Sequence, residues 1–523
     1  MRPLIQEIAT AQTPESLVEQ LAGRPGTVLL RSAGFDSAQA RYSFVAASPF
    51  LTFRSSGLQC EIASAGRTDL QFGNPWHLLD ALMARYEMLD EIDLPFPLGG
   101  CFGYWGYELK NFTEPKLPRR AVNDLELPDC HVGFYDSLVV FDHRLGKASV
   151  VATGLSADGS RSETRARKQA ELWTILLADD STRTLTPALS LSERERENPS
   201  ATGESAQAIE RTAGSSQLLP LLGERAGVRA DVASNVSRSE FLSAVERAQR
   251  YIRAGHIYQV NLSQRLAAPC ACSGWELFGR LLAVSPAPFA AYFDCGDFQI
   301  VSSSPEQFLR LSGSHITTRP IKGTRPRSPD AMRDAQLAYE LQTSPKEFAE
   351  LVMITDLLRN DLGRVCEFGS VHVPELAKLE RFAQVQHLVS TVEGRLRTDV
   401  THFAALASCF PGGSITGAPK FRAMEIIDEL EPIARGPYTG SQGYLGFNRE
   451  SQLSISIRTA IRMADTAYFH VGAGIVADSV PTAEYDETLA KAAGFLAALE
   501  CNDRHHSSPR PAEGREKREK LRE

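Results

Sequence analysis

No apolar run in the 523-residue sequence approaches the roughly 20 residues that span a bilayer, which argues against a helical membrane protein. The first residues, MRPLIQEIATAQTPESL, hold no apolar core of signal-peptide length. Metal-type C-x-x-C pairs are absent as well. The nine cysteines are scattered, and the closest two, Cys270 and Cys272, have the wrong spacing for such a pair. Free thiols in a reducing compartment, and so a cytoplasmic protein, are the expectation. Positive charge is not in excess: the formal net charge of −8 disfavours the concentrated basic surface of a nucleic-acid binder. Between Trp173 and Phe241 there is no aromatic residue, histidine or cysteine, where the chain's 8% aromatic content would place about five aromatics.

That last gap organises the chain. The stretch TLTPALSLSERERENPSATGESAQAIERTAGSSQ is rich in Ser, Ala, Glu and Arg. It cannot bury enough apolar surface to offset its ordering entropy. The expectation is a folded part at 1–178, a flexible low-complexity insert at 179–236, a second folded part at 237–502 and a disordered tail at 503–523. Before the insert, GTVLLRSAG, ARYSFVAASP and DSLVVFDH read as strands, being β-branched, aromatic and bounded by turn residues. WHLLDALMARYEML has helical periodicity. After the insert, Ser237 and Glu240 have capping-box spacing, and the helix they open should close at Gly255. Strands and helices do not alternate as βαβ units, which predicts an α+β fold with antiparallel sheets.

Two acidic helical pairs come next. SPKEFAELVMITDLLRNDLGR places Glu347 and Glu350 at i, i+3, and PTAEYDETLAKAAGFLAAL repeats the spacing with Glu484 and Glu487, adding Lys491 one turn on. Each pair reads either as a solvated helix face with a weak surface ion pair, or as half of a hard-oxygen donor set suited to Mg²⁺. FPGGSITGAPK offers successive backbone N–H groups, the hydroxyls of Ser414 and Thr416 and a helix start near Pro419, a nest for an anion. It lacks the G-K-[ST] ending of a P-loop. HVGAGIVADS reads as a second glycine turn, at Gly472 and Gly474, and Arg458 reads as a charge within an alternating strand. Together these suggest a substrate with two carboxylates.

Single residues remain ambiguous by themselves. His387, among apolar neighbours in FAQVQHLVSTVEG, reads as a hydrogen-bonded core residue or a catalyst. Glu306 follows a strand and a turn, and Lys322 precedes a turn at Gly323 in TTRPIKGTRPR. GGCFG, with Cys101 at its centre, fits the nucleophile turn of glutamine amidotransferases, but the His-Pro-Glu element is missing and a packing strand explains it better.

In order along the chain stand PIKGTRPR, AELVMITDLLRNDLGR, HLVSTVEG, FPGGSITGAPK, YTGSQGYLGF, SISIRTA, GAGIVADS and EYDET. In this order they resemble the chorismate-binding enzymes, a family that includes anthranilate synthase component I, aminodeoxychorismate synthase component I, and isochorismate and salicylate synthases. The resemblance is dense over 237–500. Residues 1–178 resemble the N-terminal domain of the anthranilate and aminodeoxychorismate branch through LLRS, RYSF and GGCFGYWGYEL. It implies antiparallel sheets packed as a sandwich with helices outside. The branch is marked by Lys322: PIKGT resembles aminodeoxychorismate synthases, whereas anthranilate synthases are expected to read PIAGT.

The remaining roles are likewise implied by the resemblance. Lys322 is the nucleophile, an amine whose proton is lost more easily in a partly desolvated site; Glu306 is the general acid; His387 is an active-site histidine. Glu347, Glu350, Glu484 and Glu487 hold Mg²⁺, with Lys491 beside the ring carboxylate of chorismate. Tyr438, Arg458, Gly472 and Gly474 hold the enolpyruvyl carboxylate, and Thr416 and Gly417 contact the substrate. Ser32, Pro288 and Phe289 match a tryptophan site, although Arg31 stands where relatives often carry an acidic residue. With no amidotransferase half in the chain, a separate glutamine amidotransferase subunit would supply ammonia, and the product would go on to 4-aminobenzoate and folate. The alternatives are anthranilate synthase component I and an inactive tryptophan- or chorismate-binding regulatory subunit.

Overall fold

The computed structural model describes residues 2–32, 41–89, 94–178, 232–382 and 385–500. Most of the expected insert, at 179–231, and the tail lie outside the described residues. The capping box at Ser237 and Glu240 opens a helix over Arg238–Arg253, and Gly255 follows it at φ +76°.

Two antiparallel sheets of twelve strands each form the described part of the molecule. Each sheet draws strands from both sides of the insert. In the first, Val28–Arg31 pairs with Phe289–Asp294, with Leu29 opposite Tyr292. In the second, Gly100–Trp105 pairs with Ser441–Gly446, with Gly103 opposite Gly443. Each glycine admits the neighbour on its other side: a Cβ at Gly103 would lie 2.2 Å from His131 O of strand Cys130–Tyr135, and one at Gly443 2.2 Å from Gln452 O of strand Glu450–Ile455. Cys101 is buried within this strand and its thiol is pushed up by that burial, as a packing residue's should be.

Between the sheets lies an aromatic core that includes Phe44, Phe53, Trp105, Phe134, Phe308 and Tyr444. Helices Pro14–Gln20, Glu163–Ala178, Gly274–Val284 and Pro481–Glu500 contribute to a second core on the outer face of the first sheet. Helix Pro345–Gly363 packs on strands Ile321–Pro326 and Val385–Arg395 of the second sheet. The architecture is the α+β sandwich with external helices that the sequence suggests.

Twice in the C-terminal half a strand runs by a short connection directly into a strand of the other sheet. Strand Phe298–Ser304 belongs to the first sheet and Gln307–Ser312 to the second, with Pro305 and Glu306 at the crossing. Strand Glu450–Ile455 belongs to the second and Thr459–Met463 to the first, with Arg458 at the crossing. The crossings lie side by side: Ile455 N donates to Glu306 O at 3.0 Å, and Ser303 N donates to Arg458 O at 2.9 Å. Sheet topology therefore sets the backbones at Glu306 and Arg458 side by side, although the two residues are far apart in the sequence.

Candidate active site

Glu306 is buried at the crossing, and loss of water pushes its carboxyl up to about 7. A hydrogen bond from the Ser414 side chain and the charge of Lys322 oppose that rise. A carboxylic acid that stays protonated near neutrality can give a proton to a departing oxygen.

Lys322 lies in strand Ile321–Pro326, opposite Leu388 of Val385–Arg395. Gly323 is not a turn, as the sequence suggests, but a bulge within that strand, with φ +67°. A Cβ there would meet Leu341 Cδ1 at 2.6 Å and Glu347 Oε2 at 3.1 Å. The bulge thus seats the lysine strand against the helix that carries Glu347 and Glu350. Lys322 acts electrostatically on Glu306, Glu350 and Lys491. On the same strand pair, His387 is buried with Nδ1 2.9 Å from Thr324 Oγ1. Burial lowers its imidazole and favours the neutral ring.

The two acidic pairs come together. Burial raises Glu350 most, and the charges of Glu347 and Glu487 raise it further. Glu484 is likewise raised by burial and then by Glu487. Cations stand among them: Lys491 Nζ is 2.7 Å from Glu487 Oε1, Arg325 Nη1 is 3.4 Å from Glu347 Oε1, and Lys346 acts on both Glu350 and Glu484. Among the described residues no three acidic, imidazole or thiol groups converge as a ready metal cage. What the structure provides is four hard oxygen donors on two helices, electrostatically coupled, a donor chemistry that fits Mg²⁺.

A cationic and aromatic wall completes the site. Arg458 is not within a strand, as expected, but at the bend between two strands, with φ +51°. Its guanidinium reaches Lys491 O at 3.4 Å, and burial lowers its affinity for a proton. Tyr438 stacks on His470 with ring centroids 5.1 Å apart, and burial pushes its phenol up to about 12. The second glycine turn is also corrected: Gly472 and Gly474 lie inside strand Thr466–Ile475, opposite Ser263 and Asn261. A Cβ at Gly472 would meet Tyr438 Oη at 2.8 Å, so these glycines give space rather than turn the chain. Lys491 Nζ donates to Gly472 O at 2.8 Å. Thr416 is buried, its hydroxyl donating to Gly412 O at 3.1 Å, and Gly417 pairs with Val260.

Residues 35–497 match the model of a chorismate binding enzyme. The chain belongs to the chorismate binding enzyme family. Anthranilate synthase component 1 of Acetivibrio thermocellus is 36% identical over 95% of this chain and 95% of its own length. Aminodeoxychorismate synthase component 1 of Escherichia coli is 36% identical over 93% and 96%. The crystal structure of anthranilate synthase component I from Streptococcus pneumoniae superposes with a TM-score of 0.68 at 29% identity, over 88% of this chain and 93% of that one. Similarity alone does not choose between the two kinds of synthase, since relatives of both kinds fall within 34–39% identity.

Some residues of this family member's site carry no signal of their own in the sequence. Gln259 begins strand Gln259–Pro269, is fully buried, and neither atom of its amide has a partner. A Cβ at Gly474 would lie 2.5 Å from Gln259 Nε2, so the amide faces the glycine pair. Arg435, also buried, pairs with Glu431 through Nε–Oε2 at 2.7 Å and Nη2–Oε1 at 2.7 Å, and its Nη2 donates to Asn261 O at 2.8 Å. It anchors the loop carrying Tyr438. A polar residue on a strand says nothing locally about which cavity it meets, which is why these were missed.

Away from that site, Ser32 Oγ donates to Pro288 O at 3.0 Å. Ser32 and Phe289 line a pocket between the sheets with Phe44, Tyr444, Gln442 and Gln452. Arg31, also at this pocket, is ion-paired with Glu15.

Proposed function

We propose that this chain is the large subunit of an aminodeoxychorismate synthase, aminating chorismate at C4 to 4-amino-4-deoxychorismate with Mg²⁺ and with ammonia from a separate glutamine amidotransferase subunit. The observation that carries the reading is the position of Lys322, whose charge reaches Glu306, Glu350 and Lys491 at once. An alanine at that position would leave no amine between the acid and the acidic helices.

In this reading Lys322 Nζ bonds to C2 of the ring as both ring double bonds shift, C1=C2 to C1=C6 and C5=C6 to C4=C5, and the C4–O bond breaks. Glu306 gives its proton to the departing hydroxyl, which leaves as water. Ammonia then bonds to C4, both ring double bonds shift back, and the C2–N bond breaks to restore Lys322. The proton released by the incoming nitrogen goes back to Glu306. Arg458, Tyr438 and the strand at Gly472 and Gly474 hold the enolpyruvyl carboxylate, while Thr416 and Gly417 bound the substrate. Neutral His387 lies beside the lysine strand. Glu347, Glu350, Glu484 and Glu487 would hold Mg²⁺, which when bound offsets the charge of the ring carboxylate, with Lys491 assisting. The product then passes to a lyase that makes 4-aminobenzoate for folate. Ser32, Pro288 and Phe289 would bound tryptophan, as a structural ligand or an inhibitor, once the pocket that Ser32 and Phe289 line opens beyond its present water-sized space.

The test is to incubate the purified chain with chorismate, Mg²⁺ and ammonium and to identify products by mass. 4-Amino-4-deoxychorismate is expected. Fluorescent anthranilate without an added lyase would assign the chain to the other kind of relative, a reading kept open by anthranilate synthases at up to 39% identity. No turnover would make it a regulatory subunit.

A further inference from the structure

Eight cysteines fall among the described residues, all of them free and buried. Five of them, Cys60, Cys101, Cys130, Cys366 and Cys409, have thiols pushed up chiefly by burial, and Cys295 is raised the same way. Such thiols stay protonated and inert. Cys270 and Cys272 differ. They flank Ala271 in the loop between strand Gln259–Pro269 and helix Gly274–Val284, and their sulfur atoms are 3.5 Å apart. Pro269, Ala271 and Ser273 on either side are exposed, so the pair lies just beneath the surface. The loop is tied at both cysteines: Cys270 N donates to Asp465 O at 2.8 Å, and Arg462 Nε donates to Cys272 O at 3.2 Å. The pair thus holds its short S–S separation by backbone anchoring.

We propose that Cys270 and Cys272 are a peroxide-reactive dithiol that closes to an intramolecular disulfide. The two sulfurs are unequal. Cys270 Sγ lies 3.6 Å from Cys272 O and can donate to it, which keeps the proton on Cys270, while the thiol–thiol hydrogen bond and the charge of Arg280 lower the Cys272 thiol. Cys272 is therefore the attacking sulfur. Its thiolate attacks one oxygen of hydrogen peroxide, the O–O bond breaks, and hydroxide leaves, giving a Cys272 sulfenic acid. Cys270 Sγ then attacks Cys272 Sγ, the S–O bond breaks, and hydroxide leaves with the Cys270 proton as water. Two thiols and one peroxide yield one disulfide and two waters. A reducing dithiol restores the pair. None of the residues assigned to chorismate chemistry takes part, so the proposal stands whichever amine the enzyme makes.

The experiment uses the full chain with Cys501, which lies outside the described residues, changed to Ser. After mild peroxide treatment, digestion and mass spectrometry should show one cross-linked Cys270–Cys272 peptide lacking two hydrogen atoms, reversed by dithiothreitol. Cys270→Ser should stop at a sulfenic acid on Cys272 that dimedone traps, and Cys272→Ser should leave position 270 unmodified over the same time. Unfolding curves of the variants show that each is folded before treatment. A disulfide at any other pair, modification of both variants alike, or both thiols intact after the other cysteines have oxidised would overturn the proposal.

Discussion

The chemistry of the site depends on single groups whose surroundings set their protonation. Glu306 is the clearest. Its carboxyl, ordinarily near 4.5, stands at about 7 because burial outweighs Ser414 and Lys322. A group that holds its proton more tightly when folded favours the folded state below its ordinary pKa. That contribution is lost as pH rises from about 4.5 to 7. Above pH 7 the ionised, buried carboxylate costs on the order of 3 kcal/mol. Glu306→Gln should therefore raise the melting temperature at pH 8 and leave it nearly unchanged at pH 4.5, while turnover falls by about 10²- to 10⁴-fold. An unchanged melting temperature at pH 8 would refute the buried-acid assignment. In the parent enzyme the same group predicts a kcat/KM that declines as pH rises through about 7. For Lys322→Ala the expected outcome is loss of most 4-amino-4-deoxychorismate formation, measured by product mass with ammonium as the nitrogen source; full activity would remove the nucleophile role.

Elements set where those groups stand. The bulge at Gly323 uses a left-handed conformation and lies against Leu341 and Glu347. Gly323→Ala combines backbone strain with a contact of 2.6 Å to Leu341 Cδ1. It should cost about 1–3 kcal/mol in chemical denaturation and lower kcat/KM. A variant as stable and active as the parent would show that the bulge does not seat the lysine strand. The paired acidic helices give a second expectation: EDTA should abolish turnover and Mg²⁺ should restore it, with added Mg²⁺ raising the melting temperature of the substrate-free protein. The i, i+3 spacings were legible because helical periodicity is local. Gly323, the pair Gly472 and Gly474, and Arg458 were misread locally, since a glycine required by a bulge or by a neighbouring side chain looks, in sequence, like one required by a turn. Arg458 fits an alternating pattern until the chain is seen to change sheets there.

For the whole molecule, both sheets run through strands from both sides of the 179–231 segment. Burying one half therefore requires the other: Val28–Arg31 and Gly100–Trp105 would be unpaired edges without their partners. Calorimetry should show a single cooperative transition, and residues 1–178 expressed alone should lack fixed tertiary structure by near-ultraviolet circular dichroism. Two separated transitions would instead mean independent halves.

By itself the sequence determined the family, the antiparallel α+β class, the low-complexity segment, and the residue types of the site, because composition, periodicity and ordered motifs are local properties of a chain. Only the tertiary structure decided that Glu306 and Arg458 stand at adjacent sheet crossings, that Gln259 meets Gly474, and that Cys270 and Cys272 bring their sulfurs together. Strand register and sheet-to-sheet crossing are set by long-range burial, and that places groups far apart in sequence within a few ångströms of one another.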